Sequence, residues 1–229
     1  MPTFDHNPKL IEQFESLLAI DDDDPSREKA IGQAIEFAGE WVKKHPEDAD
    51  AYHCLGLAWY HHPRSTSYRS WHCRRALEKA LRLEKDHGFA RHYLACLLFD
   101  QEHYDQALDL LLHSSQDYFV SRNQEWRAVK ELEMILVCRM RLKPTDFPED
   151  QFQRFVEWFH DAQKREDGDL DSGNWVYPQE LEEQIDWFLA SGAESIDPRV
   201  MRLSGFVADA KRLGFGATAG TTQKNGEQE

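Results

Sequence analysis

The chain has 229 residues, 41% of them hydrophobic and 30% charged, with a formal net charge of -15 at neutral pH. Such acidity excludes the general basic stripe that nucleic-acid backbones require, and seven Trp with thirteen Phe exclude a disordered chain. A mean hydropathy of -0.71 and the lack of an apolar run of bilayer length exclude a membrane-spanning helix.

The opening MPTFDHNPKLIEQFE has no basic segment followed by an apolar one, so no secretory signal is expected. Asn7-Pro8 instead begins a helix to about residue 20, with Leu10, Ile11, Phe14, Leu17 and Leu18 on its buried face. The aspartates at 21–24 break that pattern and are placed to complement the N-terminus of the next helix. Pro25 starts this helix, which runs to about residue 45 with Ile31, Ala34, Ile35, Ala38, Trp41 and Val42 on one side. Pro46 closes it. The next stretch, AYHCLGLAWY, carries Tyr52, Leu55, Gly56 and Trp59, with Gly56 where two backbones approach closely. Further helices carry Cys73, Leu77 and Ala80, then Leu94 and Ala95, then Tyr104, Ala107 and Leu111.

Beyond residue 118 the helical pattern continues. Glu125–Leu142 places Trp126, Val129, Leu132, Ile135, Leu136 and Met140 at helical spacing. Phe147-Pro148 restarts a helix with Phe152, Phe155, Val156 and Phe159 inward. A polar linker at 165–177 follows, and Pro178 opens a helix ending at Gly192, with Leu181, Ile185, Phe188 and Leu189 inward. Asp197-Pro198 caps a last helix, stopped by Gly214. The tail at 215–229 has almost no large apolar residue and is expected to be disordered.

Small residues recur in register. Ala51 and Ala90 are 39 positions apart, and each is preceded at matching distances by the residues that end the previous helix. The stretch at 51–111 resembles the tetratricopeptide repeat, a helix–turn–helix unit of about 34 residues. The excess falls at 61–70, HHPRSTSYRS, expected as a lengthened turn. The resemblance implies an all-α, right-handed solenoid of antiparallel helix hairpins with about ten helices. It also implies a single domain at 1–214, with its clearest repeats at 25–118 and additional C-terminal helices at 122–213.

In such solenoids the first helix of each hairpin lines a concave groove. The matching positions here are Asp50, His53, Leu57, Tyr60 and His61, then Phe89, His92, Cys96, Phe99 and Asp100. This aromatic and imidazole-rich set suits a peptide anchored by apolar side chains. It would equally become core if the later helices filled the groove. Family members that clamp carboxylates place Lys, Asn and Arg where this chain has His53, Leu57, His92 and Cys96, so that role is not implied.

Other chemistries find weak footing. Eleven His residues are scattered without CxxC or HExxH spacing, so no metal or cofactor is expected. DGDLDSG at 167–173 fails as a calcium loop, since Ser172 and Pro178 stand where Gly and Glu are needed. No Gly-rich phosphate loop or GxSxG motif occurs, and no enzymatic activity is expected. Cys54, Cys73, Cys96 and Cys138 fit reduced, buried thiols in a cytoplasmic protein. The expected function is a non-catalytic adaptor or scaffold holding a protein or peptide, with neither nucleic acid nor membrane as partner. The alternative is an acidic inhibitor, of immunity or antitoxin type, masking a basic partner.

Overall fold

The computed structural model describes residue 14 and residues 24–63, 66–165 and 178–212. Among these the chain is all-helical, with ten helices and no strand. The expected first helix (apart from Phe14), the acidic turn at 167–173 and the tail lie outside the described residues. The chain divides into two compact units, residues 1–123 and 124–229.

The first unit contains α1 (Arg27–Lys44), α2 (Ala49–Tyr60), α3 (Thr66–Leu83), α4 (Gly88–Asp100), α5 (Tyr104–Leu112) and the short α6 (Gln116–Val120). Successive helices from α1 to α5 pack on one another, and α2 also reaches α4. Alanines and glycine make the close packing possible. Ala34, Ala38, Ala51, Ala58, Ala76, Ala80, Ala90, Ala95 and Ala107 are all buried. Phe14 is buried against Ala34, Ala38, Ala51, Cys54 and Ala58. Gly56 lets the helices approach: a Cβ there would stand 2.6 Å from Cγ of the fully buried Leu77, which would have to shift.

The 39-residue register is visible in the backbone. His45 N–H donates to Trp41, and Asp48 N–H to His45; Glu84 N–H donates to Ala80, and His87 N–H to Glu84. The helix starts correspond too. The Asp48 carboxylate accepts from Ala51 N–H at 3.1 Å, and His87 Nδ1 accepts from Ala90 N–H at 3.2 Å. An imidazole thus occupies the capping place of a carboxylate.

Two local outcomes differ from the sequence expectation. The stretch at 61–70 is not a turn throughout, because α3 already begins at Thr66. Ser70 is buried and Trp59 stacks on His72 at 4.4 Å, so α2 covers one side of α3 near its start. The short α6 was not expected. Its Phe119 is fully buried and packs edge-on against Phe89 and His92.

The second unit contains α7 (Glu125–Leu142), α8 (Glu149–Arg165), α9 (Gln179–Ala190) and α10 (Pro198–Arg212). Helix α7 packs on α8 and α9, and α9 on α10. Eleven of the 18 residues of α7 are buried, which makes it the spine of this unit. Phe206 of α10 meets Phe155 and Phe159 of α8, each at 5.1 Å, and Phe152 at 6.0 Å. Gly192 ends α9 at φ 93°, with its N–H donating to Leu189 and that of Ala193 to Phe188. This is a Schellman closure. Asp197 accepts from Arg199 N–H at 2.9 Å, capping α10 as expected.

Glu133 is buried within α7, where it accepts from Leu181 N–H at 3.2 Å and from Lys130 Nζ at 2.9 Å. Burial pushes its carboxyl above the ordinary range and outweighs Lys130 and the Leu181 amide, which pull the other way. The folded chain therefore binds this proton more tightly than the unfolded chain. The associated stability is fully present below the ordinary carboxylate value and is lost as pH rises through the raised one. Gln at 133 keeps an acceptor for Leu181 without the buried charge. Thermal melts should show Glu133→Gln close to the parent near pH 4 and increasingly more stable than it towards neutrality, pH 4 being about the ordinary carboxylate value. A pH-independent difference would contradict this account.

Candidate functional site

The face that bears the expected groove residues begins with a buried hydrogen-bond pair. His87 is wholly buried and Asp50 nearly so, and His87 Nε2 stands 3.1 Å from Asp50 Oδ1. Because Nδ1 accepts from Ala90 N–H, Nε2 carries the ring proton and donates it to Asp50. His87 thereby ties the start of α4 to α2.

From that pair an aromatic chain runs along α2 and α4. His53 lies 5.1 Å from the His87 ring, stacks on Phe89 at 5.6 Å, and approaches Tyr93 at 5.9 Å. Tyr93 reaches Tyr60 at 5.7 Å, and Tyr60 meets His61 edge-on at 5.4 Å. The Tyr60 hydroxyl donates to Asp100 Oδ2 at 2.8 Å. Burial first, then the proximity of Cys96 and Asp100, raises the Tyr60 phenol far above its ordinary value. It therefore remains a hydrogen-bond donor throughout the physiological range.

The remaining expected positions divide. His92 is buried, with Nε2 3.7 Å from Cys96 Sγ one turn away. Leu57 packs against the α1–α2 core cluster. Phe99 turns to Tyr104 at the start of α5, edge-on at 5.5 Å. Tyr118 and Phe119 of α6 cover the Phe89–His92 end of the face, with Phe89 5.4 Å from Tyr118. Burial raises the Tyr118 phenol to about 12. Gly88 lies under that ring, where a Cβ would approach Tyr118 to 2.3 Å.

The opposite end is open. A cleft of about 600 Å³ is lined by Tyr60, His61 and Asp100, with Ile31, Arg27 and Arg69 around them. The buried Arg69 Nε has no hydrogen-bond partner among the described residues. Three of the ten expected groove residues thus bound a cleft, while His53, Phe89 and His92 belong to the aromatic chain beside it and Asp50 to the His87 hydrogen bond. Sequence reasoning did not select His87, Tyr93, Arg69 or Phe119. A signal for His87 did exist, because it stands 39 residues after the capping Asp48.

All four cysteines are free thiols, and burial pushes those of Cys73 and Cys138 up to about 12. Among the described residues no three His, Cys, Asp or Glu side chains converge as metal ligands would. No described helix is long and apolar enough to cross a membrane. No family model, curated protein or solved structure matches this chain.

Proposed function

We propose that this chain is a non-catalytic adaptor of tetratricopeptide-like architecture, a solenoid of helix hairpins that holds a peptide segment of another protein along α2 and α4. The observation that carries the reading is the cleft of about 600 Å³ at the Tyr60 end of that face. Its lining joins the rings of Tyr60 and His61 to side chains of both charges, Asp100 and Glu28 beside Arg27 and Arg69. Flat rings give apolar contact at low entropic cost, and an arginine with an unused buried N–H favours a backbone carbonyl or carboxylate. The repeated turns before α2 and α4, identical in hydrogen bonding, support the repeat reading.

The test uses affinity capture from native extract, followed by tiled peptides from each captured protein. A Tyr60→Ala, Arg69→Ala double variant should lose at least about tenfold in peptide affinity, or about 1.4 kcal/mol, with unchanged helicity. Undiminished binding by the folded variant would reject the cleft as the site. A formal net charge of -15 favours the second reading, an acidic inhibitor covering a basic protein. That association would weaken steeply with added salt, whereas apolar capture would not.

A further inference from the structure

Helix α3 runs against the charge of the molecule. It carries Arg69, Arg74, Arg75, Lys79 and Arg82 against the single carboxylate of Glu78, a net of +4 in a chain of -15. Glu78 is already engaged, by Arg74 at 2.8 Å and Arg82 at 4.0 Å. Arg75 and Lys79 have no carboxylate at ion-pair distance among the described residues, and each lies over an aromatic ring. Arg75 is 5.2 Å from the Trp71 centroid, and Lys79 is 5.6 Å from that of Tyr52.

The same helix face is unusually apolar for an exposed surface. Trp71 and Tyr68 are 55% and 48% exposed, although large aromatics normally seek cover. Trp71 helps line a concavity of about 400 Å³ whose walls also include Tyr52, Trp59 and His72, with Arg75, Lys79 and Arg82 along its edge. Its walls are built firmly: Trp59 stacks on His72 at 4.4 Å, and Tyr68 and Trp71 close on His72 at 4.5 and 4.6 Å. On α2, Tyr52, Leu55 and Trp59 face this concavity, whereas His53 and Tyr60 belong to the aromatic chain described above. The two surfaces therefore use different faces of one helix.

We propose that the α2–α3 concavity is a second docking site, which takes an acidic peptide segment anchored by one aromatic or leucine side chain. The volume accommodates a large side chain with its flanking backbone, and the indole walls supply the apolar contact. Trp71, Arg75, Lys79 and Arg82 recur at helical spacing, so carboxylates on either side of the anchor meet a line of cations rather than one. Charge also selects among anions. A nucleic acid or an anionic bilayer extends over many ångströms and would meet the rest of a chain of net charge -15. A short acidic segment is confined to the basic edge, within about one Debye length of 8–10 Å. Burial, and then Arg75, hold the His72 imidazole below its ordinary value.

The experiment uses the full chain and fluorescein-labelled short peptides with a central Phe, Trp or Leu flanked by Asp and Glu. Their twins with Lys and Arg in the flanks serve as controls. Acidic peptides should bind and the basic twins should not, and binding should fall as salt rises. Arg75→Glu with Lys79→Glu should weaken binding by roughly tenfold or more, and Trp71→Ala by a comparable factor. All three positions are solvent-facing edges or walls, and circular dichroism would check that helicity is retained. The Tyr60→Ala variant, which changes the cleft but no residue of α3, should bind the acidic peptides as the parent does, which separates this site from the cleft. Absence of acidic-peptide binding, or equal binding by the charge-reversed variant, would overturn the proposal. So would tighter binding of oligothymidylate or phosphatidylserine vesicles that the same charge reversal abolishes, since that would assign the surface to a different class of partner.

Discussion

Phe206→Ala should destabilise the second unit by about 3–5 kcal/mol, the range for deleting a buried phenylalanine. The side chain is the meeting point of three rings, those of Phe152, Phe155 and Phe159, at 5.1 to 6.0 Å. Its removal leaves a cavity that two helices would have to close, since these rings, together with the Arg202–Glu149 ion pair, join α8 to α10. Edge-to-face geometry adds about 0.5–1.5 kcal/mol per pair to simple burial. Phe206→Leu should recover part of the loss, because it restores volume without the ring edges. Denaturant melts would measure both, and hydrogen exchange should show lost protection in α7 to α10. A loss below about 1 kcal/mol for the alanine variant would mean that the rings are not the tie between these helices.

The second large effect is expected at Gly56 and Leu77. Leu77→Ala alone should cost about 2–5 kcal/mol, as for other fully buried leucines. Gly56→Ala alone should cost about 1–3 kcal/mol, since the added methyl overlaps a side chain that has no free space to enter. The double variant is the informative one. The alanine methyl at 56 occupies part of the volume that Leu77 vacates, so the combined loss should fall short of the two losses added together. A coupling of about 0.5–3 kcal/mol is the range for residues in contact. Strict additivity would show that the α2–α3 contact is not packed as described.

Much of the helical layout was legible because its signals are local. Apolar spacing located α7 to the residue, and Gly192 marked the end of α9, where only a residue free of Cβ strain takes φ 93° easily. The same closure occurs after α4 with Glu102 at φ 60°, a residue that gives no such notice. Short α6 escaped because five residues cannot display a period, and its place depends on Phe119 meeting Phe89 and His92. The start of α3 at Thr66 escaped for a similar reason, since the polar residues around it read as a turn.

The candidate site was legible as a face but not as a set of partners. Periodicity put Tyr60 and His61 on one side of α2, but it could not show that Asp100, 40 positions later, would accept the Tyr60 proton. The α2–α3 concavity was hidden for another reason: its charge disappears in a total dominated by acidic residues elsewhere. Only the placement of Arg75 and Lys79 over rings distinguishes them from ordinary solvated cations.

The doubly engaged imidazole of His87 has a consequence for how the first unit opens. One ring nitrogen holds the first turn of its own helix and the other holds α2, through Asp50. Fraying of α4 at its start and parting of α2 from α4 therefore become a single event. The first unit should behave as a cooperative block rather than as a string of modules that melt from one end, and the amide of Ala90 is the clock that times its opening.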